Sequence, residues 1–565
     1  MSRLDWIILV VTLGGIIAYG LYKSRTTKNL DGYFLSNRTM PWYLVLLSIM
    51  GTQASAITFL SAPGQAYTDG MRFVQNYFGL PLAMVLLCIT FLPVFHRLKI
   101  YTAYEYLENR FDLKTRTLTS FLFLLQRGLS TGISIYAPAI ILSSLLGWNI
   151  YWTNLFMGGL LIIYTVSGGA KAVAYTQQLQ LVIIFIGMFI AAYMVVHLLP
   201  DGIGFIDALK VSGKLGRLNV ITTGAESGHF NWNDRYNIWS GIIGGFFLQL
   251  SYFGADQSQV GRYLTAKSLT ESRLGLLMNG LVKVPMQFAI LLIGTLVFTF
   301  YQFKQAPVFF NQVVAEKAKK ADTTGTLQNL EKAYHIKTEQ QSALAKNYVA
   351  TKNDGNIAQL QQGQLAIDSL RTAYRSQIKK VTPASDSNDT NYIFLRFVVD
   401  YLPNGLVGLL IAVIFLAAWG SIAAALNSLA SCTVVDIHKK FIKKDCTEMI
   451  DYTTSRWYTF AWGVFSIIVA MFATNIGSLI EAVNVLGSLF YGVILGVFLV
   501  AFYIKQVKGN AIFIAAIAIE VGICLLFWLS NIGFLWLNAI GALGVVVLSM
   551  IIQGISGREV VRRES

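Results

Sequence analysis

The sequence predicts an all-α polytopic membrane protein, and three observations carry that prediction. Of 565 residues, 55% are hydrophobic and 13% charged, too little polar surface to clothe a soluble globule of this length. Runs of about twenty apolar residues, enough to cross a bilayer core of ~30 Å, recur along most of the chain. Between them, cations gather in alternate gaps, the signature of sidedness.

The runs lie near 5–22, 43–67, 73–95, 118–146, 150–167, 178–199, 237–261, 275–302, 393–435, 456–474, 478–504, 510–530 and 534–553, about thirteen crossings by the length rule. The run at 393–435 is too long for one crossing, so its first third, to about Pro403, is expected along the outer surface. The first run lacks a small-residue cleavage pattern and reads as a retained helix.

Basic gaps fall at 23–39 (Lys23, Arg25, Lys28, Arg38), 96–117 (Arg97, Lys99, Arg110, Lys114, Arg116), 262–273 (Arg262, Lys267, Arg273) and 437–456 (Lys439, Lys440, Lys443, Lys444, Arg456). Lys505, Lys508 and the tail Arg558, Arg562 and Arg563 continue the pattern. The gaps near 147–152, 474–478 and 530–534 have no Lys or Arg, which puts them outside, the N-terminus outside and the C-terminus inside a plasma membrane. The net charge of +15 is thus a topology signal; the cations form no groove with interleaved aromatics, and nucleic acid is not an expected partner. Cys88, Cys432 and Cys524 sit in apolar runs and Cys446 in an inside loop, so neither a disulfide framework nor a Cys or His metal site is expected.

Residues 304–392 break the pattern. They are rich in Lys, Gln and Asp, with Leu327, Leu330, Tyr334, Leu360, Leu365, Leu370, Tyr374 and Ile378 at roughly helical spacing. They predict a two-helix hairpin outside the membrane, turning at Asn353-Asp354-Gly355-Asn356 and returning through 382–389. It reads as a solvated decoration, with a module for an unknown partner as the alternative.

Two crossings carry their own interruptions. Residues 51–64 are small and polar, including Gly51, Gln53, Ala54, Ser55, Thr58 and Pro63. Residues 241–263 combine Gly241, Gly244, Gly245, Gln249, Tyr252, Gly254, Asp256 and Gln257. A helix in lipid must satisfy its own backbone, so such a pair, five crossings apart, suggests discontinuous helices around a site, although small residues also serve close packing. Intramembrane acids such as Asp256 are functional candidates by default. In the run at 416–436, Ala417, Gly420 and Ser421 share one helix face. Carbonyls from a broken helix plus a hydroxyl opposite would suit a sodium ion. A membrane enzyme would need convergent His, Cys or paired carboxylates at depth, and only Asp256, Glu481 and Glu520 are available; a sensor would usually append a signalling domain.

The pieces Ser-Ala-Ile-Thr-Phe-Leu-Ser-Ala-Pro-Gly at 55–64, Tyr-Ala-Pro-Ala at 136–139, Ser-Gly-Gly-Ala-Lys-Ala-Val-Ala-Tyr-Thr at 167–176, Asp-Gln-Ser-Gln-Val-Gly-Arg-Tyr-Leu-Thr-Ala-Lys-Ser-Leu at 256–269 and Leu-Asn-Ser-Leu-Ala-Ser at 426–431 resemble the sodium/solute symporter family. The resemblance implies a sodium-coupled symporter of a small organic solute, not an enzyme, with sodium as coupling ion and no other cofactor. It implies a LeuT-type core of two inverted five-helix repeats. The chain would divide into an extra N-terminal helix (1–42), the first repeat and start of the second (43–303), the insertion (304–392), the rest of the second repeat (393–504) and two extra helices (505–565).

The family's sodium site would map onto the carbonyls of Gly51 and Ala54 and onto Ala417, Gly420 and Ser421. Two departures matter. The family usually has two adjacent Ser where this chain has Gly420-Ser421, and members carrying two sodium ions have an Asp and a Ser where it has Gln177 and Ala424, so one sodium per solute is expected. Sialic acid members pair an Arg with a Ser-x-x-Thr and a Gln, implying substrate contacts at Arg127, Ser55, Thr58 and Gln75, joined by Gln53, Tyr252 and Asp256. The implied substrate is an acidic metabolite such as sialic acid, with a sugar or polyol as runner-up. Arg127 could instead serve as a structural link to an Asp or to carbonyls.

Overall fold

The computed structural model describes residues 1–24, 30–226, 228–352, 354–383, 385–442, 448–473 and 477–564, without the side chains at 21, 23–24, 30–32, 167–172, 226, 354, 448 and 556–564. Arg25, Lys28, Asn353, Lys443, Lys444 and Cys446 lie outside the described residues, as do 474–476 of one expected outside gap.

The chain enters through α1 (Arg3–Ser24) and the short α2 (Leu30–Leu35). The first interrupted crossing is two helices, α3 (Trp42–Gln53) and α4 (Ala56–Asp69), separated where Ala54 and Ser55 leave helical backbone. Instead of one helix over 73–95, a 3-10 stretch (Gly70–Tyr77) leads into α5 (Leu80–Ile89) and α6 (Phe91–Leu98), with α7 (Glu105–Arg110) beyond. In α8 (Leu113–Leu146), Asp112 caps the start by accepting from Thr115 N at 2.9 Å, and Gly147 at φ +66 ends it.

Two separate crossings were expected over 150–199, yet helical backbone runs unbroken through α9 (Ile150–His197). It still doubles back. Twelve residues of straight helix would separate Tyr164 from Thr176 by ~18 Å, whereas their hydroxyl oxygens lie 2.5 Å apart. The reversal therefore lies between them, close to the expected gap.

After α10 (Phe205–Lys214), a small hairpin pairs Ala225 with Phe230 and Glu226 with His229. The second interrupted crossing is a π-helical turn (Ser240–Gly244), α11 (Gly245–Gly254) and α12 (Gln257–Tyr263), broken at Ala255-Asp256. Next comes α13 (Leu269–Phe303).

The insertion holds three helices, α14 (Gln312–Ala321), α15 (Thr326–Thr351) and α16 (Ile357–Val381), where two were expected. The extra break is local chemistry: Asp322 accepts from Leu327 N at 2.6 Å and Gly325 takes φ +69, ending one helix and starting the next. As expected, α17 (Ile393–Tyr401) is separated by Pro403 and Gly405 from α18 (Leu406–Cys432). The chain closes with α19 (Glu448–Phe472), α20 (Leu479–Tyr503), α21 (Gly509–Leu529) and α22 (Phe534–Glu564). Among the described residues, nine helices are long and apolar enough to cross a bilayer, with Trp42–Gln53 and Ile150–Val166 as shorter apolar pieces.

The insertion is tied to the membrane part. Asp389, fully buried, accepts from Arg371 at 2.9 Å, from Arg375 and from Phe310 N at 2.8 Å. The next residues reach α4 and α20: a Cβ on Gly64 would sit 2.0 Å from Thr390 O, and Asn391 Nδ2 donates to Gly477 O at 2.8 Å. Ser478 Oγ in turn donates to Gln65 Oε1 at 3.0 Å. Beside them, Arg217 donates to Thr68 O at 2.5 Å and bonds Asp368 of α16 at 3.2 Å.

Candidate functional site

The first break frees two carbonyls. In a continuous helix the Gly51 carbonyl would accept from Ser55 N and the Ala54 carbonyl from Thr58 N. Ser55 N instead bonds Gln53 O at 2.9 Å, and Thr58 N bonds Ser55 O at 3.0 Å. Both oxygens lose their helical donors at a buried position. Opposite them, α18 presents Ser421, whose hydroxyl donates to Ala417 O at 3.0 Å and to Ala418 O at 3.1 Å, leaving its lone pairs turned outward. Gly51 O lies 3.5 Å from where a Cβ on Gly420 would be, so these two positions face each other directly. The Gly420 carbonyl itself is occupied: Gln177 Nε2 donates to it at 3.0 Å.

Beside this oxygen cluster lies a cavity of about 140 Å³. Gln53, Ser55, Thr58, Arg127, Tyr252 and Ser421 of the expected set line it. Arg127 comes from α8. Its guanidinium donates to Asp256 in the second break and to Tyr491 Oη at 2.8 Å, while Tyr491 donates to the same Asp256 oxygen at 2.6 Å. The Tyr252 ring centroid is 5.4 Å from the guanidinium carbon. The other Asp256 oxygen accepts from Ser258 N at 2.7 Å, capping α12. Asp256 thus stands behind Arg127 and outside the cavity lining, and the buried Arg127 Nε has no hydrogen-bond partner.

Gln75 does not belong to the cavity. It is fully buried, donating to Arg72 O, Thr222 Oγ1 and Tyr236 O at 3.1–3.2 Å and accepting from Thr222 N at 3.2 Å. Gln75 of the 3-10 stretch Gly70–Tyr77 thus faces the segment between α10 and the second interrupted crossing, while Tyr77 takes the cavity wall.

Sequence reasoning missed Lys283. It lies in α13, 1% exposed, lines the cavity, and its ammonium is 5.5 Å from the Tyr77 ring centroid. Among the described residues it has no acidic partner within 4 Å. The signal was available: Lys283 is the one cation in the apolar run 275–302, and intramembrane charges are functional candidates. Gln249 and Tyr491 also line the cavity. The wall therefore offers two basic side chains, Arg127 and Lys283, and among the described residues no acid lines it.

Comparison with known proteins follows the same lines. A family model described as the sodium:solute symporter family matches residues 33–328 and 373–518, leaving most of α15 and α16 unmatched. The sodium/sialic acid symporter NanT of Aliivibrio fischeri is 25% identical over 555 residues, 97% of this chain and 92% of the relative. The human sodium-coupled monocarboxylate transporter 1 is 32% identical over 286 residues, 49% of this chain and 44% of the relative. A solved structure of a Na+-coupled sialic acid symporter in a substrate-bound outward-open state superposes with TM-score 0.76 at 22% identity, covering 98% of both chains, which establishes a shared fold.

Proposed function

This chain belongs to the sodium:solute symporter family and is a multi-pass sodium-coupled solute symporter, and we propose that its solute is a small acidic metabolite whose carboxylate is held at Arg127. The observation that carries this reading is the excess of basic groups in the cavity where the two broken crossings meet. A guanidinium with a free edge matches a carboxylate in shape and charge, and Lys283 adds a second basic group. Similarity to the sodium/sialic acid symporter NanT makes sialic acid the first candidate. The test is a panel of sialic acid, other carboxylates, and neutral sugars and polyols, read as thermal stabilisation of the purified protein in sodium and in choline. Sialic acid or another carboxylate should raise Tm only in sodium; stabilisation by neutral sugars alone would overturn the reading.

The ion reading is supported by the Gly51 and Ala54 carbonyls, which lose their helical donors at the first break, and by Ala417 and Ser421 on α18, with no titrating group among them. Uptake is expected to vanish in choline buffer, and Ser421→Ala to raise the half-saturating sodium concentration, because it removes the side-chain oxygen from that set. One sodium per solute is the expected stoichiometry, since Gln177 and Ala424 stand where members carrying two sodium ions have an Asp and a Ser; a Hill coefficient for sodium clearly above one would rule it out. The alternation of cations along the chain supports a plasma-membrane setting with the N-terminus outside and the C-terminus inside.

A further inference from the structure

Gln177 occupies an unusual place. It projects from α9, is completely buried, and bonds three groups on two other helices. Its Oε1 accepts from Ser48 Oγ of α3 at 2.9 Å, and its Nε2 donates to Thr52 Oγ1 of α3 at 3.3 Å and to Gly420 O of α18 at 3.0 Å. The N-terminal half of the first broken crossing and the helix bearing Ser421 are thereby joined through one side chain.

Two glycines make room for it. A Cβ on Gly51 would lie 2.9 Å from Gln177 Cβ and 3.0 Å from its Cγ. A Cβ on Gly420 would lie 3.4 Å from Gln177 Cγ and 2.6 Å from Gln180 Oε1. Gly51 and Gly420 are the two positions that confront each other across the oxygen cluster, so their separation is set by the body of Gln177 packed against both. Neither glycine has a positive φ. Their small size serves this close approach.

We propose that Gln177 is a positioning residue for the coupling ion: by holding α3 against α18, its amide fixes the distance between the freed Gly51 and Ala54 carbonyls and the Ala417–Ser421 face. This rests on the sodium-site reading above and adds to it a residue that supplies no ligand. A cation coordinated from two helices is sensitive to their spacing, because each oxygen must stay at its preferred distance. Loss of the amide bridges frees α3 to drift from α18. Sodium affinity should fall while solute recognition at Arg127, on α8, is spared.

The test compares Gln177→Leu, Ser48→Ala and Ser421→Ala in the full-length protein reconstituted in proteoliposomes. The readouts are half-saturating sodium for uptake, solute KM at saturating sodium, and Tm with and without sodium. Gln177→Leu keeps the bulk and removes all three bonds. It is expected to raise half-saturating sodium by about tenfold, the worth of one or two hydrogen bonds, with solute KM within about twofold. Ser48→Ala loosens only the Oε1 end and should raise it by about threefold, the lower end of that scale; it carries the test if Gln177→Leu does not fold. A purely structural Gln177 would lower Tm equally with and without sodium and leave half-saturation unchanged, which would overturn the proposal. If Ser421→Ala also leaves sodium dependence unchanged, the sodium-site reading itself fails; if Ser421→Ala shifts it and Gln177→Leu does not, only the positioning role falls.

Discussion

Arg127→Lys is expected to weaken binding of the acidic substrate by about 1.5–3 kcal/mol, the scale of a charge-assisted hydrogen bond, with half-saturating sodium nearly unchanged. Lysine keeps the charge but not the planar fork. The fork matters because one nitrogen is committed to Asp256 and Tyr491, leaving the remaining edge of the group to meet a carboxylate. The measurement is substrate affinity of Arg127→Lys for the acid and for its neutral amide. Loss confined to the acid is the expected result; equal loss for both would mean that Arg127 does not read the carboxylate. Arg127→Gln should behave differently, since it strands Asp256 at a position with no exposed side-chain surface. Such a break typically costs about 3–5 kcal/mol and should appear as lower Tm and expression. Running both variants separates recognition from support, the two roles open to this arginine.

Asp389→Asn should lower stability by about 3–5 kcal/mol, because it leaves the buried Arg371 without its anion. Arg371 is 6–7% exposed and stands 5.6 Å from the Tyr67 ring of α4, so the damage should reach the C-terminal end of the first broken crossing. Excising the insertion by joining Gln305 to Asn391 is expected to leave transport largely intact, since Asp389 goes together with Arg371 and Arg375, and Arg217, which loses Asp368, keeps its bond to Thr68 O. Transport assays beside Tm measurements on the two variants check this contrast, and loss of transport after a well-folded excision would show that the insertion takes part in the cycle. The pH dependence has a definite sign. Burial alone would raise the Asp389 carboxyl, but Arg371 and Arg375 outweigh it and hold it below the usual range. Its contribution is therefore present above the ordinary carboxylate pKa and lost as pH falls through the lowered value. Asp386 runs the other way. Burial, with Asp389 nearby, pushes it up to about 6, so its favourable contribution is complete below the ordinary carboxylate pKa and is lost as pH rises through about 6. Asp386→Asn should thus stabilise the protein more at pH 7.5 than at pH 4.

The positions of the breaks in α3–α4 and α11–α12 were legible because polar, glycine-rich stretches cannot persist in lipid without a reason. The shared face of Ala417, Gly420 and Ser421 on α18, proposed to meet sodium, was legible from helical spacing. Arg127 was legible as a charge at depth, and so was Lys283, although the apolar run around it hid the signal. Gln75, assigned through the resemblance as the Gln of the next helix, lies outside the cavity because the chain there turns 3-10 and a place along the chain does not fix which way the side chain faces. The third insertion helix escaped because one Asp and one Gly, not the apolar pattern, decide where α14 ends.

The sequence by itself determined that this chain spans a membrane many times, that two crossings are interrupted, and which family it belongs to, since all three depend on local composition and short motifs. Only the tertiary structure decided that Asp256 answers Arg127, that Gln75 stays outside the cavity and Lys283 within it, and that Gln177 joins α3 to α18. Those partners lie 129, 125 and 243 residues apart where hydrogen bonds join them. Pairing across such separations is set by how helices pack, and helical periodicity fixes only which face of each helix a residue occupies.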